Sequence, residues 1–134
     1  MSALFTERLL IHIDKIDEQH EKIFALVEEF NTACLNLSDK KRIIYLFNEL
    51  RYHAEQHFKY EEEEMIKYNY SSYGEHKESH NVYVRKMEVL SKTIRREYIP
   101  FTKLIEINEF FSEGFVTHLS QIDSKLGEFL REKL

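Results

Sequence analysis

Residues 39–69, DKKRIIYLFNELRYHAEQHFKYEEEEMIKYN, carry one continuous seam: Ile43, Phe47, Leu50, Ala54, His57, Glu61 and Met65. Steps of three and four place all of them on one face of an α-helix. The apolar members bury that face, and His57 and Glu61 go in with it. A buried imidazole or carboxylate costs on the order of several kcal/mol unless it is paired or coordinated, so other polar groups must meet them.

The same rhythm appears on both sides of this stretch. About 17–37, it runs His20, Ile23, Val27, Phe30 and Cys34, with Asp17 placed to cap the helix. About 72–97, it runs His76, His80, Tyr83, Met87, Leu90 and Ile94, and Ser72-x-x-Glu75 reads as a capping box. About 100–131, it runs Leu104, Ile107, Phe111, Phe115, His118, Ile122 and Phe129, with Pro100 suited to a first helical turn. Ser38 is the expected cap of the helix at 39–69. Residues 1–16 read as an irregular arm. Connections near 38, 70 and 98 are short, which implies antiparallel neighbours. The expected fold is all-α: an up-down-up-down four-helix bundle with an irregular N-terminal arm, one domain across 1–134.

Composition agrees. Three glycines and one proline in 134 residues favour long uninterrupted helices, and the length suits one compact domain. Hydrophobic residues at 43% and charged residues at 32% are globular values. A net charge of −5 leaves no basic footprint for nucleic acid or anionic lipid. No apolar run approaches the ~20 residues that span a bilayer, and the start MSALFTERLL lacks a signal-peptide core. The expectation is a reduced, cytoplasmic protein, monomeric or weakly oligomeric, in which the single Cys34 is a small core residue.

The polar seam residues share a level. At ~1.5 Å per residue, His20 and His57 lie ~26 and ~27 Å from the first turn, and His80 and His118 both lie ~27–28 Å from the third. Around the turn near 70, the His57/Glu61 and His76/His80 pairs lie ~16 and ~12 Å away. One histidine on an apolar face is ordinarily a hydrogen-bonded core residue, and one i, i+4 pair is common on helix surfaces. Four such elements at one depth form a metal-binding pattern. His118 and Asp123 fit least well, because five residues on a regular helix turn through ~140°. That spacing needs a long reach, a local π-type widening, or a metal between helices.

Five imidazoles (His20, His57, His76, His80, His118) and two carboxylates (Glu61, Asp123) exceed the six positions of one octahedral ion. Two ions sharing bridging carboxylates satisfy the count. Imidazole suits iron, copper, nickel and zinc alike, so spacing leaves the metal open. The chain has no Glu-x-x-His, the motif of the other familiar di-iron bundles.

IDEQHEKIF (16–24), HFKYEEEEM (57–65), HKESH (76–80) and HLSQID (118–123) resemble, in order and separation, the four signatures of the hemerythrins, specifically the bacterial single-domain kind. The resemblance covers nearly the whole chain. It implies reversible dioxygen binding at two non-haem irons, for oxygen storage, delivery or scavenging. It puts His76, His80 and His118 on a six-coordinate iron, and His20 and His57 on the iron that keeps a position open for O₂. Glu61 and Asp123 would bridge the two beside an oxo or hydroxo group, and the diferric form would take azide or other small anions. The positions matching the family's ligand pocket are Ile23, Phe58, Gly114, Phe115 and Leu119. Phe5 and Gly114 stand where bacterial relatives commonly have tryptophans, and Leu126 where a tyrosine is frequent. Gly114 therefore leaves either a route one turn before His118 or a gap that Phe115 closes.

His12 and His53 are left over, read as exposed and partly exposed structural residues. Glu62, Glu63 and Glu64 read as a solvated face. Three further functions compete with oxygen binding: turnover of peroxide or nitric oxide, O₂ or redox sensing through a separate partner, and a metal-free bundle.

Overall fold

A computed structural model describes residues 5–36 and 39–134. The arm makes one short 3-10 turn, Glu7–Leu9, before helix α1 (Asp14–Leu35). Helices α2 (Lys40–Lys67), α3 (Tyr73–Ile94) and α4 (Phe101–His118) follow. A π-helical turn, Leu119–Asp123, joins α4 directly to α5 (Ser124–Arg131), so the last three segments form one rod.

The contacts between helices fix their directions. Glu29 of α1 meets Arg42 at the start of α2, and Gln19 meets His57 near its end. Arg51 reaches Glu88 while Glu62 reaches Lys77, so α2 and α3 also oppose each other. Tyr83 against Phe110, with Ser79 against His118, does the same for α3 and α4. The molecule is an all-α, antiparallel four-helix bundle.

The helix ends differ from the expectation in instructive ways. Asp17 does not cap α1, which begins three residues earlier. Its carboxylate instead accepts hydrogen bonds from the backbone N–H groups of Ile11 (2.8 Å) and His12 (2.9 Å) and clasps the arm, with His12 held at φ 67°. The arm ends there, so the irregular stretch stops at residue 13 rather than 16. Ser38 lies outside the described residues; Asp39 is the cap of α2, its side chain accepting from the Lys41 N–H at 3.2 Å. Ser72 does precede α3, but no capping box forms: its side chain caps no backbone N–H, and its hydroxyl accepts from Lys125 Nζ at 3.1 Å. Pro100 stands just before α4 rather than in its first turn.

The arm lies close against the rod. A Cβ on Gly127 would overlap Ile11 Cγ2, so only glycine admits this approach. Arg131 Nη1 then donates to the Ile11 carbonyl at 2.5 Å. This seating buries Phe5 on Phe24 (ring centroids 5.8 Å) and edge-on to His20 (6.3 Å). Leu126 and Cys34 are buried too. Among the described residues, no helix is long and apolar enough to cross a membrane.

Candidate metal centre

All seven ligand candidates are buried, and they converge in one layer. His20 comes from α1, His57 and Glu61 from α2, His76 and His80 from α3, His118 from the end of α4 and Asp123 from the end of the π turn. On α2 and α3 the mechanism is plain helical geometry, since i, i+4 side chains lie one above the other. On the last rod it is the π turn: its wider i→i+5 bonding brings Asp123 Oδ1 to 2.9 Å from His118 Nε2. Of the three explanations left open by that spacing, local widening is the one found here.

The donor atoms form two groups, Glu61, His76, His80, His118 and Asp123 in one, and His20, His57, Glu61 and Asp123 in the other, with the atoms of each within 4.8 Å of one another. Glu61 and Asp123 belong to both. Glu61 Oε1 lies 3.3 Å from His57 Nε2, 3.3 Å from His76 Nε2 and 3.1 Å from His80 Nε2. Asp123 Oδ2 lies 2.9 Å from His20 Nε2 and 3.2 Å from His57 Nε2, while its Oδ1 faces His76 and His118. Each carboxylate therefore reaches into both groups.

Hydrogen bonding does not satisfy this layer. Glu61 Oε2, Asp123 Oδ1 and His118 Nε2 are buried without a hydrogen-bond partner, the last two despite their 2.9 Å approach. His20 Nε2 and His57 Nε2 lie 3.0 Å apart and both face Asp123 Oδ2, so with both nitrogens deprotonated, as metal binding requires, their lone pairs would repel without an ion between them. Five imidazole nitrogens and two carboxylates with converging lone pairs suit divalent or trivalent first-row ions. The residues present fit a metal.

Electrostatics point the same way. Burial alone would neutralise the carboxylates, but His118 and its neighbours hold Asp123 well below the usual carboxylate range, and Glu61 is lowered as well. Burial and then the neighbouring His57 push His20 down. Burial opposes charge on His57 and His76 too, yet Glu61 and Asp123 outweigh it; His57 rises, and His76 rises to about 9. The layer keeps two anions in an apolar core and draws positive charge to them.

Three of the five imidazoles are also held at their outer edges, whereas His20 Nδ1 is buried without a hydrogen-bond partner. His57 Nδ1 lies 2.7 Å from Gln19 Oε1, His118 Nδ1 lies 2.9 Å from Ser79 Oγ, and His80 Nδ1 lies 2.8 Å from Glu62 Oε2. Glu62 is thus not simply part of a solvated face, as the run of glutamates suggested. Its other oxygen accepts from Lys77 Nζ at 2.7 Å. Bonds of this kind fix the tautomer that leaves Nε2 free for an ion. Gln19, Ser79 and Glu62 carry no mark in their own helix periodicity; the signal that finds them is a ligand histidine needing an acceptor on the neighbouring helix.

Of the expected pocket residues, Phe58 lies directly against the histidines of this layer. Phe58 stacks on His80 (centroids 4.1 Å) and lies 6.3 Å from Phe115. Ile23 and Leu119 are buried. Beside Gly114 there is neither open space nor a displaced Phe115: Tyr83 fills the position, its Oη 3.0 Å from where a Cβ would be. The Tyr83 hydroxyl donates to the Phe110 carbonyl at 2.9 Å, and its ring lies 4.8 Å from Phe115 and 6.5 Å from His118. Outside it, a groove of about 720 Å³ between α3 and α4 is lined by Val82, Tyr83, Phe110, Gly114, His118 and Ile122, among others. His53 is partly exposed beside Glu49, and His12 is exposed, as expected.

The Hemerythrin HHE cation binding domain family matches residues 11–130. One of the hemerythrin subunits of Sipunculus nudus is 26% identical over 116 residues, covering 87% of this chain and 83% of that protein. The matched span takes in the arm from Ile11, all four helices and the π turn, and with them the whole buried cluster. The chain belongs to the hemerythrin family.

Proposed function

We propose that the cluster holds two iron ions and that the protein binds dioxygen reversibly, as an oxygen store, carrier or scavenger rather than an enzyme. The observation that supports this most is the membership of Glu61 and Asp123 in both donor groups. Two anions between two neighbouring cations offset their repulsion. His76, His80 and His118 would complete one position. His20 and His57 would hold the other, which has one fewer imidazole and room for an outside ligand.

Iron pairs supply one electron from each ion when dioxygen binds, so the protein's own task is positioning and exclusion. Gln19, Glu62 and Ser79 hold the imidazoles with Nε2 inward. Phe58, Phe115, Ile23 and Leu119 wall the layer with apolar surface, and Phe5 closes it from the arm side. Water is kept out, which limits loss of bound ligand and irreversible oxidation. Tyr83 is no ready proton source, because its hydroxyl is committed to the Phe110 carbonyl and burial pushes its pKa well above the usual tyrosine range.

The test is anaerobic reduction of iron-loaded protein, titration with O₂ under visible absorption, and cycling under vacuum. The expected result is a stoichiometric band that appears and disappears over repeated cycles. Steady-state consumption of peroxide or nitric oxide with a reductant, without a reversible band, would assign turnover instead.

A further inference from the structure

Glu61 and Glu62 are consecutive, yet their carboxylates reach opposite nitrogens of one ring. Glu61 Oε1 lies 3.1 Å from His80 Nε2, and Glu62 Oε2 lies 2.8 Å from His80 Nδ1. Lys77 Nζ pins the far oxygen of Glu62 at 2.7 Å, which orients the carboxylate toward the ring. The equivalent contact in the other donor group is different in kind, for His57 Nδ1 leans on Gln19 Oε1, a neutral amide, at 2.7 Å.

An anionic acceptor on Nδ1–H strengthens a charge-assisted hydrogen bond about twofold over a neutral one and makes the opposite nitrogen a better donor to a metal. We infer that Glu62 and Gln19 are positioning residues that set the two metal positions apart: Glu62, acting through His80, makes the three-histidine position the tighter one, and Gln19 leaves the two-histidine position weaker and more easily exchanged. The difference adds to the larger donor set of the first group. It rests on the two-metal reading but not on dioxygen binding.

Cobalt(II) titration of the metal-free protein tests it, with visible ligand-field bands reporting each step. The tighter of the two dissociation constants is expected to weaken by roughly 10–100-fold in E62Q, the range typical of lost outer-shell partners, while the weaker constant holds. Q19E is expected to tighten the weaker constant and leave the other. Glutamine keeps the size and the acceptor oxygen of Glu62, so a role limited to bracing His80 would be met equally well by E62Q. An unchanged tighter constant in E62Q, or equal weakening of both, therefore overturns the inference. If the wild type takes a single cobalt ion, the two-metal reading falls separately, and the effect of E62Q on that one constant still decides whether Glu62 acts through His80.

Discussion

The two halves of the bundle are held together by different physics. Toward the α1/α2 turn, Phe30, Phe47, Leu50, Met87, Ile94, Ile107 and Phe111 are almost wholly buried, with Phe111 edge-on to both Phe30 (6.1 Å) and Phe47 (5.6 Å). The packing there is mainly apolar; its polar members are Ser91, which accepts from Arg95, and Asn108, which donates to the Leu104 carbonyl while its Oδ1 is buried without a hydrogen-bond partner. Toward the α2/α3 turn, an equally buried layer is filled by five imidazoles and two carboxylates, three of whose inward atoms lack a hydrogen-bond partner. One half folds on area and packing; the other gathers polar groups whose hydrogen bonding is incomplete and whose donor atoms fit a metal.

The largest test of that contrast is metal removal. Apoprotein is expected to lose more stability than any single truncation in the aromatic half, because the ion's binding free energy is folding free energy. Thermal unfolding with and without iron reads this directly, and equal midpoints would erase the distinction between the halves. Phe111→Ala gives the scale: it is expected to cost about 3–5 kcal/mol through lost contacts and a cavity. Denaturant unfolding should show that loss in both loaded and apo forms, with metal content unchanged.

Acidity separates the halves next, since the buried imidazoles and carboxylates all lie in one of them. In the apoprotein, His57 and His76 are raised, so their stabilising charge is fully present below the ordinary histidine value of about 6.5 and is lost as pH rises through the folded values, about 9 for His76. His20 is lowered, and its contribution is already complete above that point. Glu61 and Asp123 are lowered, so their contribution is present above the ordinary carboxylate range and is lost on acidification. Apoprotein stability should therefore fall from pH about 6.5 upward, whereas metal affinity rises over the same window as imidazoles deprotonate. Chemical unfolding of both forms across pH checks this; parallel slopes would contradict it.

The smallest effect concerns the boundary of the metal layer. Tyr83→Phe removes one hydrogen bond to the Phe110 carbonyl and should cost about 1 kcal/mol, with little change in ligand entry because the ring remains. Tyr83→Ala opens the side beside Gly114 to the α3/α4 groove and should speed azide binding to the diferric protein. Stopped-flow mixing measures it, and an unaltered rate in a folded, iron-replete Tyr83→Ala protein would show that the ring is not a plug.

How much of this was legible beforehand follows the same division. Buried polar residues repeating at helical spacing mark both the helix face and the chemistry, so the four helices and the seven converging residues could be read from seams such as Phe47, Leu50, Ala54, His57 and Glu61. The π turn stayed one of three possibilities, because a five-residue separation does not say whether backbone or side chain makes up the angle. Asp17, Ser72, Glu62 and Tyr83 were misplaced or missed for one reason. Each takes its role from a group on another segment: the arm's N–H groups for Asp17, Lys125 for Ser72, His80 for Glu62 and the space left by Gly114 for Tyr83. Periodicity within one segment does not encode such pairings.

Mössbauer spectroscopy of iron-57-loaded diferric protein, with iron and protein quantified in the same sample, tests most directly the proposed dinuclear centre that Glu61 and Asp123 would share. The proposal requires about two irons per chain, a count set by donors exceeding one ion's capacity, and an oxo or hydroxo group shared between them would couple the ferric pair to a diamagnetic ground state. One iron per chain, or two that remain magnetically independent, would contradict it.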